Sequence, residues 1–389
     1  MTHSALPLAR NFNGWLGLEL SLTKQVFATN IEIEKELWNA IEYYSEIHDI
    51  GMDLIRRKGL VPASQQQTLL DRFRAFVRQA KSYYSSAKAL HYRSSSLLYY
   101  YSFLNLAKAY LAIKSPTLIL NRTLNHGLGY RTNTSNNDFL LENVYVKDGI
   151  FPHMFQLEAG TTIPLSTRAS ASLLNVTTLL GFPSDIKYQY ETAGFGQNKI
   201  IYCVAAIVTD RNTQQAWSLI GIPSFSMLET YPQLKTQFLN TYQEVSILNN
   251  FSREIFGFSG FMHSYYRFFQ DITPENWIGA SIIPTFQLLD KLKNALCPHL
   301  SVHYFDDKAA FEIILPYNAN LLPMNEMLAI YVCMFYLSSL VRYRPDFLED
   351  LISLKPSWLI ESFVNSTPET FLRMMVSKII EKDLVYRRR

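Results

Sequence analysis

Apolar residues recur every three or four positions along the first third of the chain, which is the spacing of one face of an α-helix. The pattern predicts a helix over residues 31–58, ended by Gly59, and a second helix over residues 64–90. A third helix begins near Ser94 and is apolar almost all round until Pro116 limits it. Because a helix without a polar face must be covered on every side, we expect the third helix to lie at the centre of a helical body.

Beyond residue 139 the pattern changes from helical to alternating. Apolar and polar residues alternate on both sides of Asp148-Gly149, which predicts a β-hairpin over residues 144–156 that turns at this pair. A stretch ended by Gly181 predicts a short helix over residues 168–181. Segments rich in β-branched and aromatic residues predict further strands over residues 186–192, 199–209 and 216–222.

The last part of the chain returns to a helical pattern around one more strand pair. Helices are predicted over residues 226–249, 285–296 and 324–342, and a hairpin over residues 299–317. The helix over residues 324–342 is apolar on all sides, so we expect it to be buried. Thr367 and Pro368 suit the N-cap and the first position of a final helix.

The order of these elements favours an α+β fold with a mostly helical body and a β-rich antiparallel insert. In this interpretation the N- and C-terminal helices pack together. A chain of 389 residues is long enough for more than one subdomain. The predicted segments are an N-terminal helical region over residues 1–135, the β-rich insert over residues 136–225, and a C-terminal α+β region over residues 226–389.

Composition narrows the class of protein. With 48% hydrophobic and 18% charged residues, the chain can bury a large core and does not resemble a disordered protein. A net charge of +3 is too weak to indicate nucleic-acid binding by itself. The cysteines Cys203, Cys297 and Cys333 are far apart in apolar surroundings. They predict free thiols in a reducing cytosol, with neither a disulfide nor a structural zinc site.

The longest apolar run does not indicate a membrane protein. It covers residues 327–341, between Glu326 and Arg342, whereas a spanning helix needs about 20 apolar residues. The chain also opens without a charged and then apolar leader, so secretion is not expected. The sequence therefore predicts a cytoplasmic protein that does not bind a membrane.

Arg122 and His126 are the candidate catalytic residues. A histidine can move a proton near neutral pH, and an arginine can hold a scissile phosphate. Residues four apart lie on one face if the segment is helical, so the two side chains would then converge. The alternative is a structural loop, in which Gly127 and Gly129 are turn residues and His126 bonds to the backbone.

Arg342 and Arg344 are the candidate phosphate-binding residues, since two arginines past a buried helix could grip a phosphate or a carboxylate. The alternative is that they only place positive charge at the end of the helix dipole. Phosphate binding would be favoured if Arg342 and Arg344 reached the His126 region. No metal or cofactor is expected: His299 and His303 have a metal-like spacing, but in a strand they would lie about 13 Å apart.

Three stretches together resemble the YaaC-like proteins, a bacterial family of unassigned biochemistry. They are "AKSYYSSAKAL", then "SSSLLYYYSFLNLAKAYL" leading to "NHG", and "YLSSLVRYRPDFLEDL". A more distant similarity is to HEPN domains, which also have an aromatic helix followed by an Arg and a His. That similarity implies metal-independent RNA cleavage at Arg122 and His126, and a site built across two subunits.

Two functions follow from these observations. The first is a HEPN-like metal-independent ribonuclease, or an RNA- or nucleotide-binding component of an antiphage or toxin-type system. The second is a non-catalytic subunit that binds other proteins in a defence or stress complex. In both cases the aromatic-rich, apolar chain favours a homodimer or a stable complex with a protein partner.

Overall fold

The structure is a computed structural model of the protein. It describes residues 15–17, 24–27, 32–57, 59–130, 139–160, 162–167, 173–195, 199–210, 214–223, 225–245, 266–276, 300–305, 308–315, 324–353 and 356–386. The helix predicted over residues 285–296, together with Cys297 and His299, lies outside these residues.

Helices from both ends of the chain form one helical body. The N-terminal helices are α1 (Ile33–Glu46), α2 (His48–Arg56), α3 (Ala63–Lys88), α4 (Tyr92–Lys114) and α5 (Pro116–Asn121). The C-terminal helices are α10 (Glu326–Tyr343), α11 (Pro345–Ile352) and α12 (Ser357–Ile380). α4 packs against α3, α10 and α12, which confirms the central position predicted for the third helix. The helix predicted over residues 31–58 is in fact two helices, because the chain is extended at Ile47.

The predicted buried helix is confirmed as α10. Every residue from Glu326 to Leu340 is buried. By length and composition alone α10 could cross a membrane, but 83% of the same window is buried inside the protein, and core helices pass the same test.

The sequence predicted that the final helix begins at Thr367, and this prediction is wrong. α12 runs without a break through Pro368, and the Thr367 hydroxyl donates to the carbonyl of Phe363 at 2.7 Å. Phe363 and Phe371, one turn to either side, are fully buried. Packing of both turns keeps the helix continuous, although a proline removes one backbone hydrogen bond.

A three-stranded antiparallel sheet lies against the helical body. Its order is β3 (His126–Tyr130), β4 (Asn143–Gly149) and β5 (Leu173–Asn175). The hairpin predicted at Asp148-Gly149 is wrong, because β4 pairs with β3 and β5 and is followed directly by α6 (Ile150–Ala159). Gly149 has a φ of +148°, so its conformational freedom serves a strand-to-helix junction.

The second sheet has eight strands in the order β11-β12-β6-β7-β9-β8, with β1 on β6 and β10 on β7. Its pairings are antiparallel. Its strands are β1 (Trp15–Gly17), β6 (Lys199–Asp210), β7 (Gln215–Pro223), β8 (Tyr242–Val245), β9 (Tyr266–Asp271), β10 (Glu275–Asn276), β11 (Leu300–Phe305) and β12 (Lys308–Leu315). Together with the helical body, these antiparallel sheets confirm the α+β class. The predicted boundary between the β-rich insert and the C-terminal region, at residue 225, lies between β7 and β9, which are neighbours in this sheet.

The structure confirms some of the predicted strands and replaces others with helices. Strands over residues 199–209 and 216–222 and the hairpin over residues 299–317 are confirmed as β6, β7 and β11–β12. The strand predicted over residues 186–192 is instead α8 (Lys187–Ala193), which buries Tyr190 and exposes Tyr188; Ile186, just before the helix and four positions from Tyr190, is also buried. Residues 173–179 form β5 and α7 (Val176–Leu179) in place of part of one predicted helix. α9 (Pro232–Thr241) and β8 occupy the segment predicted as helix over residues 226–249.

The two ends of the chain meet in a parallel pair of strands. β2 (Lys24–Phe27) pairs with β13 (Asp383–Tyr386). α1 also packs against α12. The N- and C-terminal parts of the chain therefore pack together, as the sequence predicted.

Candidate functional site

Arg122 and His126 do not lie on one helix face. α5 ends at Asn121, Arg122 is extended at φ −137° and ψ 147°, and His126 begins β3. Pairing of β3 with β4 requires an extended chain here, so the convergence expected of a helix does not occur. Arg122 is exposed, and it is not among the charged groups that act on His126.

Two glycines shape the backbone that presents His126. Gly127 has a φ of +80°, and the register of β3 against β4 shifts between His126 and Leu128. A Cβ on Gly149 would lie 2.4 Å from the Asn125 carbonyl oxygen and 2.6 Å from the Gly127 nitrogen. The strands therefore approach closely only because both positions lack side chains. This close approach forms the bulge at the start of β3.

The His126 ring lies between two helices of the body. Its centroid is 5.1 Å from that of Phe335 in α10 and 6.4 Å from that of Tyr100 in α4. Its Nδ1 accepts a hydrogen bond from the Leu128 N–H at 3.2 Å. The neutral ring therefore carries its proton on Nε2, which makes Nε2 a hydrogen-bond donor.

Burial and positive charge keep His126 neutral. Burial is the largest cause that lowers its pKa, followed by the charges of Arg342 and Lys147. Both charged groups that shift this pKa are cations. They come from separate elements, since Arg342 lies in the last turn of α10 and Lys147 in β4.

The cations around His126 are held by their neighbours. The Arg342 Nε donates to the Ser338 carbonyl at 3.3 Å, and its guanidinium lies 5.0 Å from the ring centroid of Tyr343. The Lys147 ammonium lies 5.0 Å from the ring centroid of Tyr145. These contacts position each positive charge without neutralising it.

The N-terminus of α6 adds a partial positive charge beside the same loop. The Ile150 N–H, at the start of α6, donates to the Asn125 carbonyl at 2.8 Å. Helix dipoles favour negative charge at this end. The charges that act on His126 itself come from two elements, α10 and β4.

Two buried tyrosine hydroxyls lie behind His126. Tyr100 and Tyr331 have ring centroids 5.7 Å apart, and neither hydroxyl has a hydrogen-bond partner of good geometry. Burial raises the pKa of both phenols, and the charge of Arg342 acts on Tyr100 in the opposite direction. The charge of Arg342 therefore acts on both His126 and Tyr100. The sequence did not single out Tyr100 or Lys147.

Arg344 belongs to a different cluster. Its Nε donates to both carboxylate oxygens of Asp346 at 3.3 Å, and its guanidinium lies 5.3 Å from the Phe347 ring centroid. Its charge acts on Tyr130, whose pKa is raised first by burial and then by the Glu142 carboxylate. Of the two arginines predicted to bind phosphate, Arg342 carries a charge that acts on His126, and Arg344 is paired with Asp346.

The basic face of α3 is not an open cationic surface. Three of its basic side chains pair with carboxylates of α1: Lys81 with Glu42 at 2.7 Å, Arg78 with Glu46 at 2.5 Å, and Lys88 with Glu34 at 2.8 Å. These ion pairs offset the positive charge of the helix. The His126 region is therefore the better candidate for an anion.

In the part of the chain that the structure describes, no group of three or more His, Cys, Asp or Glu side chains is placed to hold a metal ion. Cys203 and Cys333 are buried free thiols, and burial raises the pKa of each. A raised pKa makes a thiol a poor nucleophile.

Comparison with known proteins assigns the chain to a family. The family model described as "YaaC-like Protein" matches residues 55–379, which include His126, Lys147 and Arg342. No curated protein and no solved structure matches the chain. The match spans most of the 389 residues, and the chain belongs to the YaaC-like protein family.

Proposed function

We propose that this protein binds RNA or a nucleotide through a phosphate group at the cluster of His126, Arg342 and Lys147. The observation that carries the proposal is that a neutral histidine, with its donor proton on Nε2, shares its surroundings with two cations. Phosphate oxygens accept hydrogen bonds from N–H donors and are stabilised by arginine and lysine. The nearby N-terminus of α6 favours the same charge.

The geometry supports binding better than cleavage. A general base needs a free nitrogen lone pair, but Nδ1 accepts the Leu128 N–H and Nε2 carries the proton. A general acid needs the imidazolium form, which the lowered pKa disfavours at neutral pH. HEPN-like, metal-independent RNA cleavage is therefore the second proposal for this cluster. A cytoplasmic role in an antiphage or toxin-type system stays a prediction.

The test is titration of the full-length protein into a fluorescein-labelled single-stranded RNA dodecamer, followed by fluorescence anisotropy at several salt concentrations. Two cations contacting phosphate predict a slope of log affinity against log salt of about −1.4, taking about −0.7 per contact for single strands. Intact RNA on a gel after incubation with EDTA would favour binding, and shortened RNA would favour cleavage. An affinity too weak to measure at low salt, or one that salt does not change, contradicts the proposal.

The alternative function, as a non-catalytic subunit, is favoured by a different observation. Leu140, Leu141 and Leu173 are each more than half exposed. They lie close together, because the Asn175 side chain donates to the Leu140 carbonyl and Leu173 belongs to the same strand as Asn175. Clustered exposed apolar residues are typical of protein–protein contacts, including homodimers. A protein that binds no RNA but is dimeric by light scattering would favour this alternative.

A further inference from the structure

Arg342 and Tyr343 form a stacked pair at the end of α10. The Arg342 guanidinium lies 5.0 Å from the Tyr343 ring centroid, and Tyr343 is 64% exposed. Arg342 is also the residue of α10 whose charge reaches His126. A solvent-exposed aromatic ring therefore lies directly beside the proposed phosphate contact.

We infer that Tyr343 is a stacking platform for a nucleobase, and that the ligand is therefore a single-stranded nucleic acid. The inference rests on the proposed function, since it identifies the ligand of the same site. Bases stack on exposed tyrosine rings, and an arginine beside the ring adds a cation–π contribution. Arg342 would hold the phosphate while Tyr343 holds the adjoining base.

The arrangement fits an unpaired strand better than a duplex. In a duplex each base is already stacked between its neighbours, so its flat face is not available to a side chain. Nothing in the described part of the chain pairs Tyr343 with another aromatic ring, whereas the exposed Tyr188 packs edge-on against Trp358 with centroids 5.7 Å apart. Arg342 lies over the Tyr343 ring, and no aromatic side chain of the described residues packs against it as Trp358 packs against Tyr188.

The experiment compares three labelled probes: an oligoadenylate dodecamer, an abasic ribose-phosphate strand of equal length, and an RNA duplex. The protein should bind the oligoadenylate roughly five- to 150-fold more tightly than the abasic strand, the contribution of one stacked base. Tyr343→Ala should remove this preference, and Tyr343→Phe should keep it. Tyr188→Ala, at a tyrosine that is 68% exposed, is the matched control and should leave it unchanged.

The outcomes separate the two proposals. A protein that binds the oligoadenylate and the abasic strand equally, or whose preference survives in Tyr343→Ala, overturns the stacking inference alone. Duplex binding as tight as oligoadenylate binding also overturns it. A protein that binds none of the probes overturns the phosphate-binding proposal and the stacking inference with it. Because Tyr343 is largely exposed, its variants should keep the parent melting temperature.

Discussion

Replacing Lys378 with methionine should lower the free energy of unfolding by about 1 to 3 kcal/mol at pH 7.5, less than for a fully buried ion pair because the Lys378 side chain is 36% exposed and solvent screens its charge. Lys378 lies in α12 and contacts the Glu158 carboxylate at 2.6 Å. The Glu158 side chain is only 5% exposed. Without the lysine, a buried carboxylate loses this counter-charge.

Glu158 connects several parts of the helical body. Besides Lys378, it accepts hydrogen bonds from the Tyr110 hydroxyl at 2.7 Å and from the Asn325 side chain at 2.9 Å. Tyr110 lies in α4, Glu158 in α6, and Asn325 is the N-cap residue of α10. The carboxylate therefore holds α6 against the helices on which the candidate site depends.

The destabilisation by Lys378→Met should depend on pH. In the parent, burial alone would raise the pKa of Glu158, but Lys378, Tyr110 and Asn325 together lower it. This group therefore contributes stability that is present above the unfolded pKa of about 4.3 and is lost as pH falls through the folded value. In the variant, burial without the lysine raises this pKa, so protonation relieves the cost and the deficit shrinks toward pH 5.

Urea unfolding at pH 7.5 and at pH 5 measures this prediction. Lys35→Met is the matched control, because Lys35 is an exposed lysine of α1, and it should change stability by less than about 0.5 kcal/mol. The account of Glu158 would be wrong if Lys378→Met matched the control. It would also be wrong if the deficit were the same at both pH values.

Replacing Arg342 with glutamine should weaken binding of single-stranded RNA by roughly 10- to 150-fold, the range for loss of a hydrogen bond to a charged group. The salt slope should also fall by about 0.7, because one phosphate contact is lost. The charge of Arg342 acts on His126, whereas Arg122 is exposed and Arg344 is paired with Asp346.

Arg122→Gln and Arg344→Gln are the matched controls, since each also removes one positive charge. Both variants should bind RNA with an affinity within about threefold of that of the parent protein. This range allows for the loss of a screened charge away from the binding site. Fluorescence anisotropy measures all three variants, and melting temperatures confirm that they fold. If all three variants lost the same affinity for RNA, only the net charge would matter, and Arg342 would make no specific contact with RNA.

The sequence predicted helices well where burial follows a simple period. The apolar stripe over residues 64–90 matches α3, and the all-apolar segments match α4 and α10. The pattern of these helices depends only on which of their faces are buried, and not on which elements cover those faces. The predictions were wrong where contacts between residues far apart in the sequence determine the backbone conformation. Asp148-Gly149 has the local preference of a hairpin, but Gly149 meets Gly127 and Asn125 from an earlier strand, and α6 begins there.

The candidate site shows the same division. The sequence identified His126 as a candidate catalytic residue and Arg342 as a candidate phosphate-binding residue, but nothing in their spacing shows that they act on each other. Packing of β3 on α10 brings their two elements together. Lys147 was missed because its strand was assigned to a hairpin with the following residues. Pairing β4 with β3 would have placed Lys147 near His126 from the register alone.

The pKa of His126 tests the central claim most directly, because the claim requires a neutral histidine among cations that an anion then joins. Carbon-13-labelled histidine, with His126→Ala to assign the signal, gives this pKa by NMR titration without and with single-stranded RNA. The account predicts a value below the usual 6.5 in the free protein and a rise when RNA is bound, since a phosphate favours the imidazolium form. A value at or above 6.5 in the free protein, or one that saturating RNA leaves unchanged, would contradict it.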